Sequence, residues 1–252
     1  MRKRIVIKLG TNSISNDDGT LDQELIKDLV GQVVTSMAEY DVLMITSGAV
    51  GSGKSLISEK RFDDVTNKQI YAAVGQVELM KNYSQLFGEH GKVIAQMLAT
   101  KEDFESRTHY LNMKNCLESL LQEGIVPIMN ENDFVAIEEL MFTDNDELAG
   151  LVSKMLGADK LIVLTNVDGI YDENEKVVGE FTHDCEVPSY ISDTDEKSSF
   201  GRGGIQTKFK MAQTAAKNGT SVYIVGSKEK DLIAKVINGE EIGTKFIPNN
   251  IT

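Results

Sequence analysis

Six short apolar runs, separated by amphipathic stretches, constrain the fold of this chain more than any other feature. They are IVIKLG (5–10), VLMIT (42–46), KVIAQML (92–98), IVPIMN (125–130), KLIVLT (160–165) and SVYIVG (221–226). Each is apolar at successive positions and rich in β-branched residues, the pattern of a strand buried on both faces. The intervening stretches supply the cover: Leu25, Leu29, Val33 and Met37 share one helical face, and Ile205, Phe209, Ala212 and Ala216 share another. Alternating strand and helix predicts an α/β fold, a three-layer αβα sandwich with a mostly parallel central sheet and ligands at the carboxyl ends of the strands. The chain's 252 residues suit one large domain or two small ones, with a sizeable core. With three prolines, no repeat and no low-complexity tract, no linker is visible. The polar stretch from Tyr171 to Gly204 reads as part hairpin and part loop.

Charge narrows the partners. The 39 acidic and 26 basic side chains leave a net charge of -13, which argues against nucleic-acid binding and against an anionic membrane surface. No stretch approaches the roughly 18 apolar residues of a membrane span, and Lys8 interrupts the N-terminal apolar run too early for a signal peptide. Cys116 and Cys185 have neither disulfide-framework nor metal-ligand spacing, so a reducing, cytoplasmic setting is expected, with Cys116 a small buried side chain. His90, His109 and His183 are scattered and read as surface or loop residues, and the acidic runs around Asp17, Asp63 and Asp193 as solvated loops.

Three places carry charges that need an explanation. Lys8 lies inside IVIKLG, where an ammonium needs a structural ion pair or a bound anion. Lys208 falls in the first turn of the helix opened by Gly203 and Gly204, where the helix dipole disfavours a cation; a bound anion would remove that conflict, and Arg202 adds charge beside flexible glycine amides. FTDNDELAG (142–150) crowds Asp144, Asp146 and Glu147 ahead of a helical pattern. It reads either as a helix cap, with Asp144 capping and Glu147 returning the bond, or as a site that orients cations and a polar substrate. GAVGSGKS (48–55) satisfies the phosphate-loop pattern, but it follows the second strand and no Walker-type strand ending in Asp comes after it. The reading preferred here has Thr46, Ser47, Gly48 and Ala49 offering amides and a hydroxyl to a carboxylate, with Lys54 on the surface.

KLGTNSI (8–14), TSGAVGSG (46–53), MNENDFVA (129–136), TDNDELAG (143–150), LTNVDGIY (164–171) and GRGGIQTK (201–208) occur in that order. Together they resemble the amino acid kinase family over practically the whole chain. The resemblance implies an αβα sandwich whose first part, about 1–157, binds an amino acid and whose second, about 158–252, binds ATP. It implies phosphorylation of the side-chain carboxylate of L-glutamate, opening the route to proline, with ATP and magnesium as cofactors and a homo-oligomer, dimer or tetramer. Lys8 and Lys208 match the lysines that neutralise phosphate, and Asp146 the carboxylate that orients them and supports the magnesium nucleotide. Ser47, Gly48, Ala49, Asp133, Asp144 and Asn145 fall on substrate-binding positions. Thr165, Asn166, Asp168, Tyr171, Arg202, Gly203, Gly204, Ile205, Gln206, Thr207 and Lys208 fall on nucleotide-binding ones. No residue is assigned as a resident metal ligand. Thr165-Asn166 replaces the family's usual Thr-Asp, and Gly201-Arg202-Gly203-Gly204-Ile205 its usual Gly-Thr-Gly-Gly-Met. Many members also carry a C-terminal RNA-modification-type domain, and the resemblance here is to a short form without it. The rivals are another member acting on aspartate, acetylglutamate or a nucleotide monophosphate, and a non-catalytic amino acid sensor.

Overall fold

A computed structural model of the chain describes residues 2–16, 20–57, 62–135, 142, 144–191 and 204–249. In chain order the first half gives β1 (Lys3–Leu9), α1 (Gln23–Ser36), β2 (Tyr40–Ile45), α2 (Ala49–Leu56), α3 (Asp64–Glu89), β3 (Ile94–Ala99), α4 (Lys101–Glu105), α5 (Arg107–Gln122) and β4 (Val126–Glu131). The second half gives α6 (Asn145–Leu156), β5 (Lys160–Thr165), β6 (Glu180–Thr182), α7 (Ile205–Lys217), β7 (Ser221–Gly226), α8 (Leu232–Asn238) and β8 (Thr244–Ile247). The strands form one sheet in the order β3-β4-β2-β1-β5-β7-β8-β6. The six strands expected from the sequence are its parallel body; β8 runs antiparallel to β7, and β6 pairs in parallel with β8 at the edge. Chain order reverses at β1, flanked by β2 on one side and β5 on the other, which is where an open α/β sheet splits to admit a ligand.

Both faces of the sheet are covered. Ile5, Ile7 and Leu9 of β1 pack with Leu29 of α1, Leu79 and Tyr83 of α3 and Leu232 of α8. Val6, Val163 of β5 and Ile224 of β7 pack on the opposite face with Leu117 of α5, Val152 of α6 and Phe209 of α7. Phe209, Phe181 and Phe246 form an aromatic cluster, with centroids 5.1 to 5.3 Å apart, that packs α7 on β8 and β6.

Helices α2 and α3 touch backbone to backbone. A Cβ on Gly53 would stand 1.9 Å from the Tyr71 carbonyl oxygen, and one on Gly75 would stand 1.8 Å from that of Ala49. Glycine is required at both positions, so helix packing accounts for Gly53 of GAVGSGKS.

Two readings are corrected. Cys116 is exposed, because α5 turns its neighbour Leu117 and Leu121 to the core. Asp63 is a helix cap, its side chain accepting from the Thr66 amide to start α3. Asp17 and Asp193 lie outside the described residues.

Candidate functional site

Strand alternation aims Lys8. Ile5, Ile7 and Leu9 face the α1–α3 side, so Val6 and Lys8 face the α6–α7 side, and Lys8 reaches the carboxyl end of β1. Gly10 leaves it room: a Cβ there would stand 3.3 Å from the Lys8 ammonium. Asp146, in the first turn of α6, presents one carboxylate oxygen 2.5 Å from Lys8 Nζ and the other 3.1 Å from Lys208 Nζ. Two ammonium groups separated by 200 positions in the chain thus share one carboxylate, with Asp146 fully buried and Lys8 only 5% exposed. Burial alone would raise the Asp146 carboxyl, but the two ammoniums outweigh it and hold the group below the usual carboxylate range. Helix α7 begins at Gly204 without a side-chain cap, so its first-turn amides point from the same helix end that carries Lys208.

The DND segment caps α6 and ties it to the sheet. Asp144 Oδ1 accepts from the Asp146 and Glu147 amides at 2.9 and 3.1 Å, starting α6, while Glu147 pairs with Lys101 at 3.1 Å. Asn145 Nδ2 donates to the Thr46 carbonyl, to Ser47 Oγ and to Asn130 Oδ1 at 2.8, 2.8 and 2.9 Å. The carboxyl ends of β2 and β4 are thereby tied to α6. Across from Asn145, Gly48 adopts φ of 98° and opens α2 without a side-chain cap, leaving first-turn amides beside Ser47. Two acceptors here, Asn145 Oδ1 and Asp144 Oδ2, are buried without a hydrogen-bond partner among the described residues. Burial raises Asp133 to about 6 and, with the nearby Asp133 charge adding, Glu131 to about 7; Asp144 is pushed up by burial and by Asp146. A cluster of acids that resists ionisation, next to acceptors without donors, suits a cation of ammonium type.

The residues matched to nucleotide binding fall into two groups. Thr165 is buried at the end of β5, beside β1, where Leu164 pairs with Leu9. Asn166 beyond it is exposed, and Tyr171 donates to Asp168 at 3.2 Å. Gly204, Ile205, Gln206 and Thr207 form the cap and first turn of α7, whereas Arg202 and Gly203 lie outside the described residues. Lys54 is exposed in the last turn of α2.

Sequence reasoning missed Glu131, whose side chain accepts from the Phe142 amide at 2.8 Å and so holds Phe142 at the end of β4. It also missed Gln76, bonded to Asn130 at 2.9 Å. The signal for Gln76 was present: it sits in the helical stripe with Leu79, Tyr83 and Leu86, and a polar residue in an apolar stripe needs a buried partner.

The amino acid kinase family profile matches residues 3–226. The chain is 42% identical to glutamate 5-kinase of Bacteroides thetaiotaomicron over 98% of its own length and 70% of that protein's. It is 43% identical to glutamate 5-kinase of Chlorobaculum tepidum over 97% and 69%, and 39% identical to that of Alkaliphilus oremlandii over 97% and 95%. Among solved structures, UMP kinase from Ureaplasma parvum superposes with a TM-score of 0.63 at 16% identity, covering 98% of this chain and 100% of that one, a likeness of fold.

Proposed function

This chain belongs to the amino acid kinase family, and from that premise we infer that it transfers the γ-phosphoryl group of ATP to the side-chain carboxylate of L-glutamate. The products are ADP and L-glutamate 5-phosphate, the first step of proline biosynthesis. Besides the kinship, the observation that carries the reading is the convergence of Lys8 and Lys208 on Asp146 at the carboxyl end of the sheet.

The attacking group needs no general base. A glutamate side chain, with a reference pKa of about 4.3, is already ionised at neutral pH. One of its oxygens forms a bond to the γ-phosphorus as the bond from that phosphorus to the β–γ bridging oxygen breaks, and no proton moves. The obstacle is bringing an anion up to a polyphosphate in line, so catalysis consists of positioning and charge neutralisation. Lys8 and Lys208 would supply the positive charge, and Asp146 would hold both ammoniums at one spot so that nothing reorganises when the charge develops. A pure amino acid sensor has no use for such an arrangement.

At the other end, the uncapped first turn of α2 with Ser47 and the Gly48 and Ala49 amides would receive the α-carboxylate. Asn145 Oδ1, Asp144 and Asp133 would receive the α-ammonium. Thr165, Asn166, Asp168, Tyr171 and the segment from Arg202 to Lys208 would hold the nucleotide, so that residues 1–157 bind the amino acid and 158–252 bind ATP.

Magnesium would arrive with the nucleotide. Among the described residues no group of three His, Cys, Asp or Glu side chains could hold a metal by itself, and magnesium needs none, because it keeps several waters and binds through substrate phosphates and one or two carboxylates. Asp146 would support it, and when bound it neutralises the β- and γ-phosphates. Among the described residues no helix is long and apolar enough to cross a membrane. We propose a cytoplasmic enzyme that works as a homo-oligomer, dimer or tetramer, to be read by sedimentation.

The test of the reaction is ADP release with a panel of acceptors, with hydroxylamine present to trap an acyl phosphate. Glutamate-dependent hydroxamate is expected; release only with aspartate, acetylglutamate or a nucleotide monophosphate would overturn the substrate.

A further inference from the structure

A run of side-chain amides crosses the carboxyl end of the sheet from α3 to α6. Gln76 Oε1 accepts from Asn130 Nδ2 at 2.9 Å, and Asn130 Oδ1 accepts from both the Glu131 amide and Asn145 Nδ2, each at 2.9 Å. The backbone fixes which end of each amide is which. The Glu131 N–H can only donate, so the Asn130 atom facing it is the oxygen; the Thr46 carbonyl can only accept, so the Asn145 atom facing it is the nitrogen. It follows that Asn145 Oδ1 is the end left over, buried and without a partner among the described residues. The Asn130 nitrogen is the end that must find an acceptor on α3, where Gln76, 8% exposed, supplies it.

We propose that Gln76 is a positioning residue for substrate recognition: by holding Asn130 Nδ2 it orients the Asn130–Asn145 pair so that Asn145 Oδ1 stays an acceptor for the α-ammonium of the amino acid. This rests on glutamate as the substrate, and it adds a residue on α3 that contacts no reacting atom. If Gln76 is replaced by an apolar residue, the Asn130 NH2 is orphaned in a dry site, and its amide then relieves the penalty by turning or shifting, carrying Asn145 with it. The preference for substrates that bear an ammonium falls, while nucleotide binding, which uses other residues, is untouched.

The experiment is calorimetric titration of L-glutamate, glutarate and ATP into the full chain as wild type, Gln76→Met and Gln76→Glu. Glutarate keeps both carboxylates and lacks the ammonium. For Gln76→Met the glutamate Kd is expected to rise about tenfold, the scale of one orphaned buried amide donor, with the glutarate and ATP Kd values unmoved. Gln76→Glu, whose carboxyl still accepts from Asn130, is expected to restore most of the preference for glutamate over glutarate. A Gln76→Met chain that retains the wild-type preference overturns the proposal, as does one in which all three ligands weaken together, the mark of general loosening. A wild-type chain that binds no glutamate overturns the substrate reading and this proposal with it, whereas normal wild-type binding alongside an indifferent Gln76→Met overturns this proposal alone.

Discussion

Replacing Asp146 by Asn keeps the shape of the side chain and removes the charge that two ammoniums share. At 2.5 and 3.1 Å from Lys8 and Lys208, the carboxylate screens the lysines from one another. Ammoniums bonded to opposite oxygens of one carboxylate lie on the order of 5 Å apart, and at an effective dielectric of about 20 they repel by roughly 3 kcal/mol. Asp146→Asn exposes that repulsion at a site with almost no solvent, and breaking a buried pair in this way destabilises by about 3 to 5 kcal/mol. For a chain of this length the melting temperature of the free protein should fall by roughly 6 to 10 °C. ATP should recover part of the deficit, because its phosphates replace the missing negative charge. Turnover should not recover. With the lysines splayed, the barrier should rise by about 3 to 4 kcal/mol, a loss of roughly 100-fold to 1000-fold in kcat. The assay is ADP release at saturating ATP and glutamate, with melting curves recorded with and without ATP. An Asp146→Asn chain that turns over at the wild-type rate refutes the reasoning, whatever its stability.

Three further outcomes are expected. Gly75→Ala would put a Cβ 1.8 Å from the Ala49 carbonyl oxygen and 2.4 Å from the Gly53 nitrogen, so it should lower stability by about 1 to 3 kcal/mol or more and, on the proposal that α2 receives the α-carboxylate, raise the KM for glutamate more than that for ATP; unchanged melting and kinetics would contradict the contact. Glu131, raised to about 7, and Asp133, raised to about 6, favour the folded chain while protonated, so their contribution is complete below about pH 4 and lost as the pH rises through 6 to 7. A bound ammonium relieves that loss, so glutamate should stabilise the chain more at about pH 8 than at about pH 5, and equal thermal shifts would speak against it. Lys54→Ala should leave kcat and both KM values near wild type, because Lys54 is exposed on α2; loss of nearly all activity would restore the phosphate-loop reading of GAVGSGKS.

The parallel body of the sheet was legible because its strands are apolar at successive positions, the pattern of a doubly covered strand, although β3 at the sheet edge is only partly buried. The β8–β6 edge was not: Thr244–Ile247 and Glu180–Thr182 are four and three residues long, too short to show a period. Lys8 was legible as an anomaly, since a lysine in an apolar strand requires a partner. Its partner was equally visible in TDNDELAG, although which of the three acids it met depended on the turn of α6: Asp144 caps the helix through Oδ1, Glu147 turns to Lys101, and Asp146 points inward. The amide run was hidden because its members come from α3, β4 and α6, and its meaning lies in which end of each amide faces which, a matter of orientation that spacing does not encode. Cys116 misled because cysteine is usually buried, and only the rotation of α5 decides that Leu117 takes the core.

The most direct test of the central claim, that Lys8 and Lys208 act on one phosphoryl group, is a double-mutant cycle on the single-turnover rate of phosphoryl transfer, using Lys8→Met, Lys208→Met and the double variant at saturating ATP and glutamate. The account predicts that each single variant loses about 100-fold or more and that the double variant loses little beyond either, as groups acting on one centre do. Losses that multiply, or either single variant turning over at the wild-type rate, would contradict it.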